Sequence, residues 1–151
     1  MTRIVAGLDR LRGIERRPVR EGQWWSEEFS HAKDVWYPPI TSDLIPDGSI
    51  IREVQVQAAM NTEIWAIDTT MHLSIVSDPN PTVAVVVAAE HVIEWRWLKL
   101  GPVWTAINMQ TNEVYRCCKV VRGAARRFAV TAYTAHACGG VMRVSVFYEL
   151  P

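Results

Sequence analysis

A chain of 151 residues and 17.1 kDa, 49% hydrophobic and 21% charged, is one domain's worth of polypeptide with apolar material for a real core, which excludes a disordered polyelectrolyte. Sixteen basic residues balance sixteen acidic ones, which argues against a general nucleic-acid binder. No apolar run approaches the ~18–20 residues of a membrane-spanning helix, and arginines at 3, 10, 12, 16 and 17 break up any signal-peptide pattern.

Residues 1–22 read as a basic N-terminal arm ahead of one β-sandwich domain, 23–151. The arm holds Gly7, Gly13, Pro18 and the pair Arg16-Arg17. Ile4, Leu8, Leu11 and Ile14 have helical spacing, but so short a helix is marginal alone. Extended, twenty residues reach about 66 Å, enough to lie on a neighbouring molecule. A loose terminus is the competing description.

From Gln23 onward the pattern is strand after strand. Gln23 to Ser30 is a short extended run, and Tyr37-Pro38-Pro39 excludes both a helix and a central strand. Pro46-Asp47-Gly48-Ser49 is a turn signal. After it, Val54, Val56 and Ala58 alternate with Glu53, Gln55 and Gln57. Trp65, Ile67, Met71, Leu73 and Ile75 then share a face opposite Asp68, Thr70, His72 and Ser74. Ser77-Asp78-Pro79-Asn80-Pro81 turns the chain. Val83 to Val87 is continuous and β-branched, as in a strand buried on both faces. Residues 84–100 also fit a helical stripe, but their β-branched and aromatic content favours a strand. Val103 to Met109, Val114 to Val121, Arg127 to Cys138 and Val141 to Leu150 complete the set, separated by Gln110-Thr111-Asn112, Gly123 and Gly139-Gly140. The expected fold is all-β: an antiparallel sandwich or jelly roll of about eight strands.

Charge is segregated along this order. Residues 1–20 carry six arginines against Asp9 and Glu15, a net of +4. Residues 21–113 hold thirteen acids against Lys33, Arg52, Arg96 and Lys99, a net of −9. Residues 114–148 hold six bases and no acid. Either oppositely charged surfaces of different molecules meet, or the fold brings the ends beside the acidic middle.

No set of residues points to catalysis, a cofactor or a metal. Cys117 and Cys118 are adjacent, so on a strand they point to opposite faces, and His136 with Cys138 lacks a tight ligand partner. Buried free thiols are the better description. On a strand, Glu90 and Glu94 would share one face with His91 on the other, which reads as a solvated acidic face. His31, His72 and His136 are scattered singly. There is no nucleophile elbow and no phosphate loop. Of the seven tryptophans, Trp65 and Trp97 suit a core, whereas Trp24, Trp25 and Trp36 sit among charges and prolines and suit an interface or lid.

Ile45-Pro46-Asp47-Gly48-Ser49-Ile50-Ile51 leading into alternating strands, and Gly139-Gly140-Val141-Met142-Arg143-Val144-Ser145-Val146-Phe147-Tyr148 at the end, resemble the small single-jelly-roll virion proteins of phages: head decoration (cement), minor capsid and fibre-type proteins. The resemblance implies a non-enzymatic structural role on the capsid surface, in a particle assembled in the host cytoplasm. It implies copies of itself, as a homotrimer, and the major capsid protein as partners, with no cofactor, membrane or nucleic acid. Arg3, Arg10, Arg12, Arg16, Arg17, Trp24, Trp25 and Trp36 are the candidate interface residues. The alternatives are a carbohydrate- or receptor-binding sandwich, or a barrel enzyme if the histidines and Glu90/Glu94 converge.

Overall fold

Strands that are apolar on one face and polar on the other bury their apolar faces by stacking two sheets, and this chain does so. The computed structural model describes residues 21–25, 29–31, 35–62, 66–100, 107–134 and 138–151. In order these form β1 (Glu21–Trp25), β2 (Phe29–His31), β3 (Ile40–Thr41), β4 (Ile50–Thr62), β5 (Ala66–Val76), α1 (Val83–Ala88), β6 (Glu90–Leu100), β7 (Ile107–Val120), β8 (Arg127–Thr134) and β9 (Cys138–Glu149).

The first sheet runs β1-β9-β4-β7, with β2 also against β9, and the second runs β3-β8-β5-β6. All pairings are antiparallel. The pairs nest: β1 with β9, β3 with β8, β4 with β7, β5 with β6. A doubled ribbon wound in this way, with successive pairs falling in opposite layers, is a jelly roll. β1 lies opposite Ser145–Glu149 and β2 opposite Gly140–Met142, so the two share one margin of β9.

The core fills the space between the layers. Val54, Val56 and Ala58 of β4 and Met142, Val144 and Val146 of β9 are buried against Met71, Leu73 and Ile75 of β5 and Phe128, Val130 and Ala132 of β8. Each large apolar side chain so buried is worth about 1.5–3 kcal/mol. Register slips between Ile51 and Glu53 on both sides of β4, and the slip changes phase, so Ile51 and Val54 both point inward while Arg52 reaches solvent and pairs with Glu149. The expected turn forms before β4. Ser49 N–H donates to Pro46 O (3.1 Å), Gly48 N–H to Val121 O (2.7 Å), and Gly48 has φ +91°, a conformation glycine takes without strain.

Phe128 sits beneath two other aromatics, with ring centroids 5.9 Å from Trp24 and 5.6 Å from Tyr148. The Tyr148 ring in turn occupies the space where Gly22 would carry a Cβ.

Several sequence expectations give way here. Val83 to Val87 is not a strand but most of α1: Thr82 caps the helix by accepting the Val85 N–H (3.3 Å), and Val86 buries its side chain on the second sheet. Packing overrides the strand preference of valine. From Glu90 the chain is a strand, as expected. Gln110-Thr111-Asn112 does not separate strands but lies within β7, opposite Ala59-Ala58-Gln57. Gly139 and Gly140 likewise pair with Asn61 and Met60 inside the sheet. β1 takes in Glu21 and Gly22, and the rest of the expected arm lies outside the described residues.

Phe128→Ala should cost about 3–5 kcal/mol of stability, because it leaves a cavity under Trp24 and Tyr148. Urea unfolding followed by tryptophan fluorescence measures this.

Candidate functional site

β5 is buried on both faces. Met71 through Val76 are all buried, the odd-numbered residues in the core and the even-numbered ones on the outer face of the second sheet. There α1 covers the lower half: Ser74 Oγ donates to Val86 O (2.8 Å), and Val76, Val86 and Ala129 form a small second apolar cluster. The upper half belongs to His72.

Next to it, β6 breaks its alternation. Leu73 pairs with Ile93 and Ser74 with His91, which leaves Val92 as an extra residue in a β-bulge. The bulge changes the phase of β6, so Glu94 (opposite His72) and His91 (opposite Ser74) share the outer face. This corrects the expectation that His91 and Glu94 point to opposite faces. Glu90 is the residue turned away: its carboxylate pairs with Lys119 Nζ at 2.6 Å, bridging β6 and β7.

The result is a cluster of two imidazoles and a carboxylate. His72 Nδ1 lies 3.9 Å and His91 Nδ1 3.6 Å from Glu94 Oε2. His91 Nε2 lies 2.8 Å from Val87 O and 3.4 Å from His72 Nδ1. A carbonyl can only accept, so His91 Nε2 carries the proton and donates to it. Trp36 flanks the cluster, its ring centroid 5.7 Å from His72 and 5.1 Å from Tyr133. Burial pushes the His72 imidazole below its ordinary value; Glu94 opposes this and His91 adds to it. His72 is 7% exposed, whereas the Glu94 side chain is 58% exposed, so the cluster opens outward from the sheet.

A second polar group joins the two layers. Glu113 of β7 accepts from Trp95 Nε1 (2.9 Å), from Thr111 Oγ1 (3.1 Å) and from the Tyr115 hydroxyl. The Tyr115 hydrogen bond, more than those of Trp95 and Thr111, holds the Glu113 carboxyl below its ordinary value against the opposing effect of burial. Burial, then Glu113, pushes Tyr115 up to about 12. Donors satisfied in this way make Glu113 a structural acceptor between β6 and β7.

β6 and β7 are the open margins of their sheets and lie on the same side of the sandwich. Among the described residues no strand pairs with the far edge of either. The opposite margin of the second sheet is covered by residues 36–45, which follow β8 from Trp36 to Ile45. Asn112, Val114, Arg116 and Cys118 of β7 are exposed on the outer face. Beside them a shallow depression of about 550 Å3 is lined by Gln57, Ala59, Asn112, Val141 and Arg143, with the backbone between them.

Of the candidate interface residues, Arg3, Arg10, Arg12, Arg16 and Arg17 lie outside the described residues. Trp24 packs on Phe128, Trp25 lies on β1 opposite Ser145, and Trp36 lies beside His72. Cys117 and Cys118 point to opposite faces as expected, but the expectation of buried thiols fails for Cys118: Cys117 points inward, half-buried, its thiol 3.8 Å from Ile51 O and pushed up mainly by burial, while Cys118 is exposed beside Arg52. His136 is outside the described residues. Alternation alone misses the joining of His72 to His91 and Glu94. The signal for it is the apolar doublet Val92-Ile93 between two polar residues, where strict alternation fails.

No protein-family model and no curated protein matches the sequence. Among solved structures, the chain is similar to one in the cyanophage Pam1 capsid asymmetric unit, with TM-score 0.45 and 11% identity over 88% of this chain and 86% of that one. It is also similar to dimeric latent PorU from Porphyromonas gingivalis, with TM-score 0.40 and 7% identity over 89% of this chain and 13% of that one. Infectious bursal disease virus, Gt strain, gives TM-score 0.30 and 15% identity over 87% of this chain and 41% of that one. Likeness this low carries no functional conclusion.

The Glu113 carboxyl has a lower pKa folded than unfolded, so its contribution to stability is whole above the unfolded value and is lost as pH falls through the folded one. Glu113→Gln should therefore cost about 1 kcal/mol at neutral pH and flatten the acid side of the stability profile. Urea midpoints across an acid-to-neutral series check both effects.

Proposed function

We propose that the chain is a non-enzymatic structural protein of a virion, a decoration (cement) or minor capsid protein that binds copies of itself and a capsid shell. The observation that carries the assembly reading is the pair of long open margins. β7 offers fourteen residues and β6 eleven, each paired on one side only among the described residues. An unpaired edge of that length is a ready template for another chain. Val114 and Leu98 stand 49% and 55% exposed along it, and Arg116 supplies charge. The occupant that suits both margins at once is a second copy of this chain, joined edge to edge through the same side of its own sandwich.

The motif resemblance at the two ends of the sandwich supports the virion assignment, because jelly rolls serve capsid and lectin domains alike and the fold alone does not choose. The capsid structures above are too distant to add to it. The basic arm, with Arg3, Arg10, Arg12, Arg16 and Arg17, then reaches acidic surfaces of adjacent subunits or the shell, consistent with the −9 of residues 21–113.

Light scattering of the purified chain should give a discrete multiple of 17.1 kDa, and Val114→Lys should shift it toward monomer by placing a charge at the margin. A wild-type chain that stays monomeric at every concentration sinks the reading. Deleting residues 1–20 should reduce co-sedimentation with empty shells of the same virus; undiminished occupancy removes the arm from the proposal.

A further inference from the structure

The cluster stands on the outer face of the second sheet, with His72 on β5 and His91 and Glu94 on β6, and its side chains are arranged for something other than each other. His91 Nε2–H is committed to Val87 O at 2.8 Å, which fixes the tautomer and leaves Nδ1 as a lone pair turned toward Glu94 Oε2, 3.6 Å away. A metal-binding imidazole is oriented in this way when its second nitrogen donates to a backbone carbonyl. His72 Nδ1 approaches the same carboxylate oxygen at 3.9 Å. One donor atom from each of His72, His91 and Glu94 falls within 4.8 Å of the others. Bonds of about 2.0–2.2 Å in tetrahedral geometry place ligand atoms ~3.3–3.4 Å apart, so each nitrogen is within a small shift of its place beside Glu94 Oε2, and side-chain rotation closes the rest of the set from within 4.8 Å.

We propose that His72, His91 and Glu94 form a binding site for a divalent transition-metal ion of the zinc, cobalt or nickel class, with the remaining position open to water. The donor set selects that class: two imidazole nitrogens suit zinc and its neighbours, whereas magnesium and calcium require oxygen ligands. The backbone holds the set in place. His72 and Glu94 are direct partners across β5 and β6, the bulge at Val92 turns His91 onto their face, and Trp36 packs beside the buried His72 ring. The exposed Glu94 side leaves a path for the ion and room for a water ligand. A bound ion would tie β6 to β5 across the bulge and, through Val87, to the end of α1.

The test uses the untagged full-length chain, stripped with chelator and titrated with zinc chloride against a zinc indicator at neutral pH. One zinc per chain is expected. His91→Ala and Glu94→Gln, both at open positions and checked for folding by circular dichroism, should each weaken binding about 10-fold or more, since losing even an outer partner costs a metal site that much. Replacing Cys117 and Cys118 with serine should leave it unchanged. Cobalt added to the wild-type chain should give a ligand-field spectrum of nitrogen and oxygen donors without thiolate charge transfer, a readout independent of how any variant folds. Absence of stoichiometric binding overturns the proposal. So does binding that survives both His91→Ala and Glu94→Gln, or a cobalt spectrum dominated by thiolate.

Discussion

The double burial of β5 is the constraint on which the rest of the second sheet depends. Its odd-numbered side chains, Met71, Leu73 and Ile75, belong to the core between the layers. Its even-numbered ones must therefore be covered from outside, and the chain supplies two covers: α1 over Ser74 and Val76, and the Trp36 segment beside His72. A buried hydroxyl needs a partner, and Ser74 finds one in the Val86 carbonyl. The helix is thus less an independent element than a lid demanded by a strand with no solvent face. Six residues could not hold a helix without that surface beneath them.

The lopsided charge along the chain is met in several ways among the described residues. Lys119 from the basic C-terminal stretch meets Glu90 from the acidic middle. Arg126 and Arg127 turn instead to backbone carbonyls, Arg126 to those of Arg122 and Ala124 and Arg127 to that of Ser42, where they tie down the loops between strands. Arg96 and Asp68 form a two-pronged pair across β5 and β6, both from the middle of the chain. Exposed pairs of this kind add little to stability, so the segregated charges weigh more on encounter with other surfaces than on the fold.

Much of the architecture is legible in the sequence because alternation is a direct readout of a pleated strand with one buried face. Val54, Val56 and Ala58, or Met142, Val144 and Val146, announce their own orientation. The rule fails wherever a strand gains a residue. Ile51 and Val54 both face inward across one register slip, and His91 and Glu94 both face outward across another. Each slip inverts every orientation beyond it, which is why the histidine cluster is invisible to a reading that keeps one phase throughout. Val83 to Val87 fails for a different reason: a run of valines says that apolar surface must be covered but not by which backbone geometry. Turn-forming residues mislead in the opposite sense within β7 and β9, since Gln110-Thr111-Asn112 and the paired glycines are tolerated where neighbouring strands hold the ladder.

The aromatic stack over Phe128 ties β1 to the centre of the sandwich. Tyr148 fills the space that any side chain at position 22 would need, and it rests edge-on against Phe128, which in turn meets Trp24. A single methyl at Gly22 would therefore be felt three rings away. In sequences diverging from this one, position 22 can leave glycine only in step with a smaller residue at 148, so the two should drift as a linked pair.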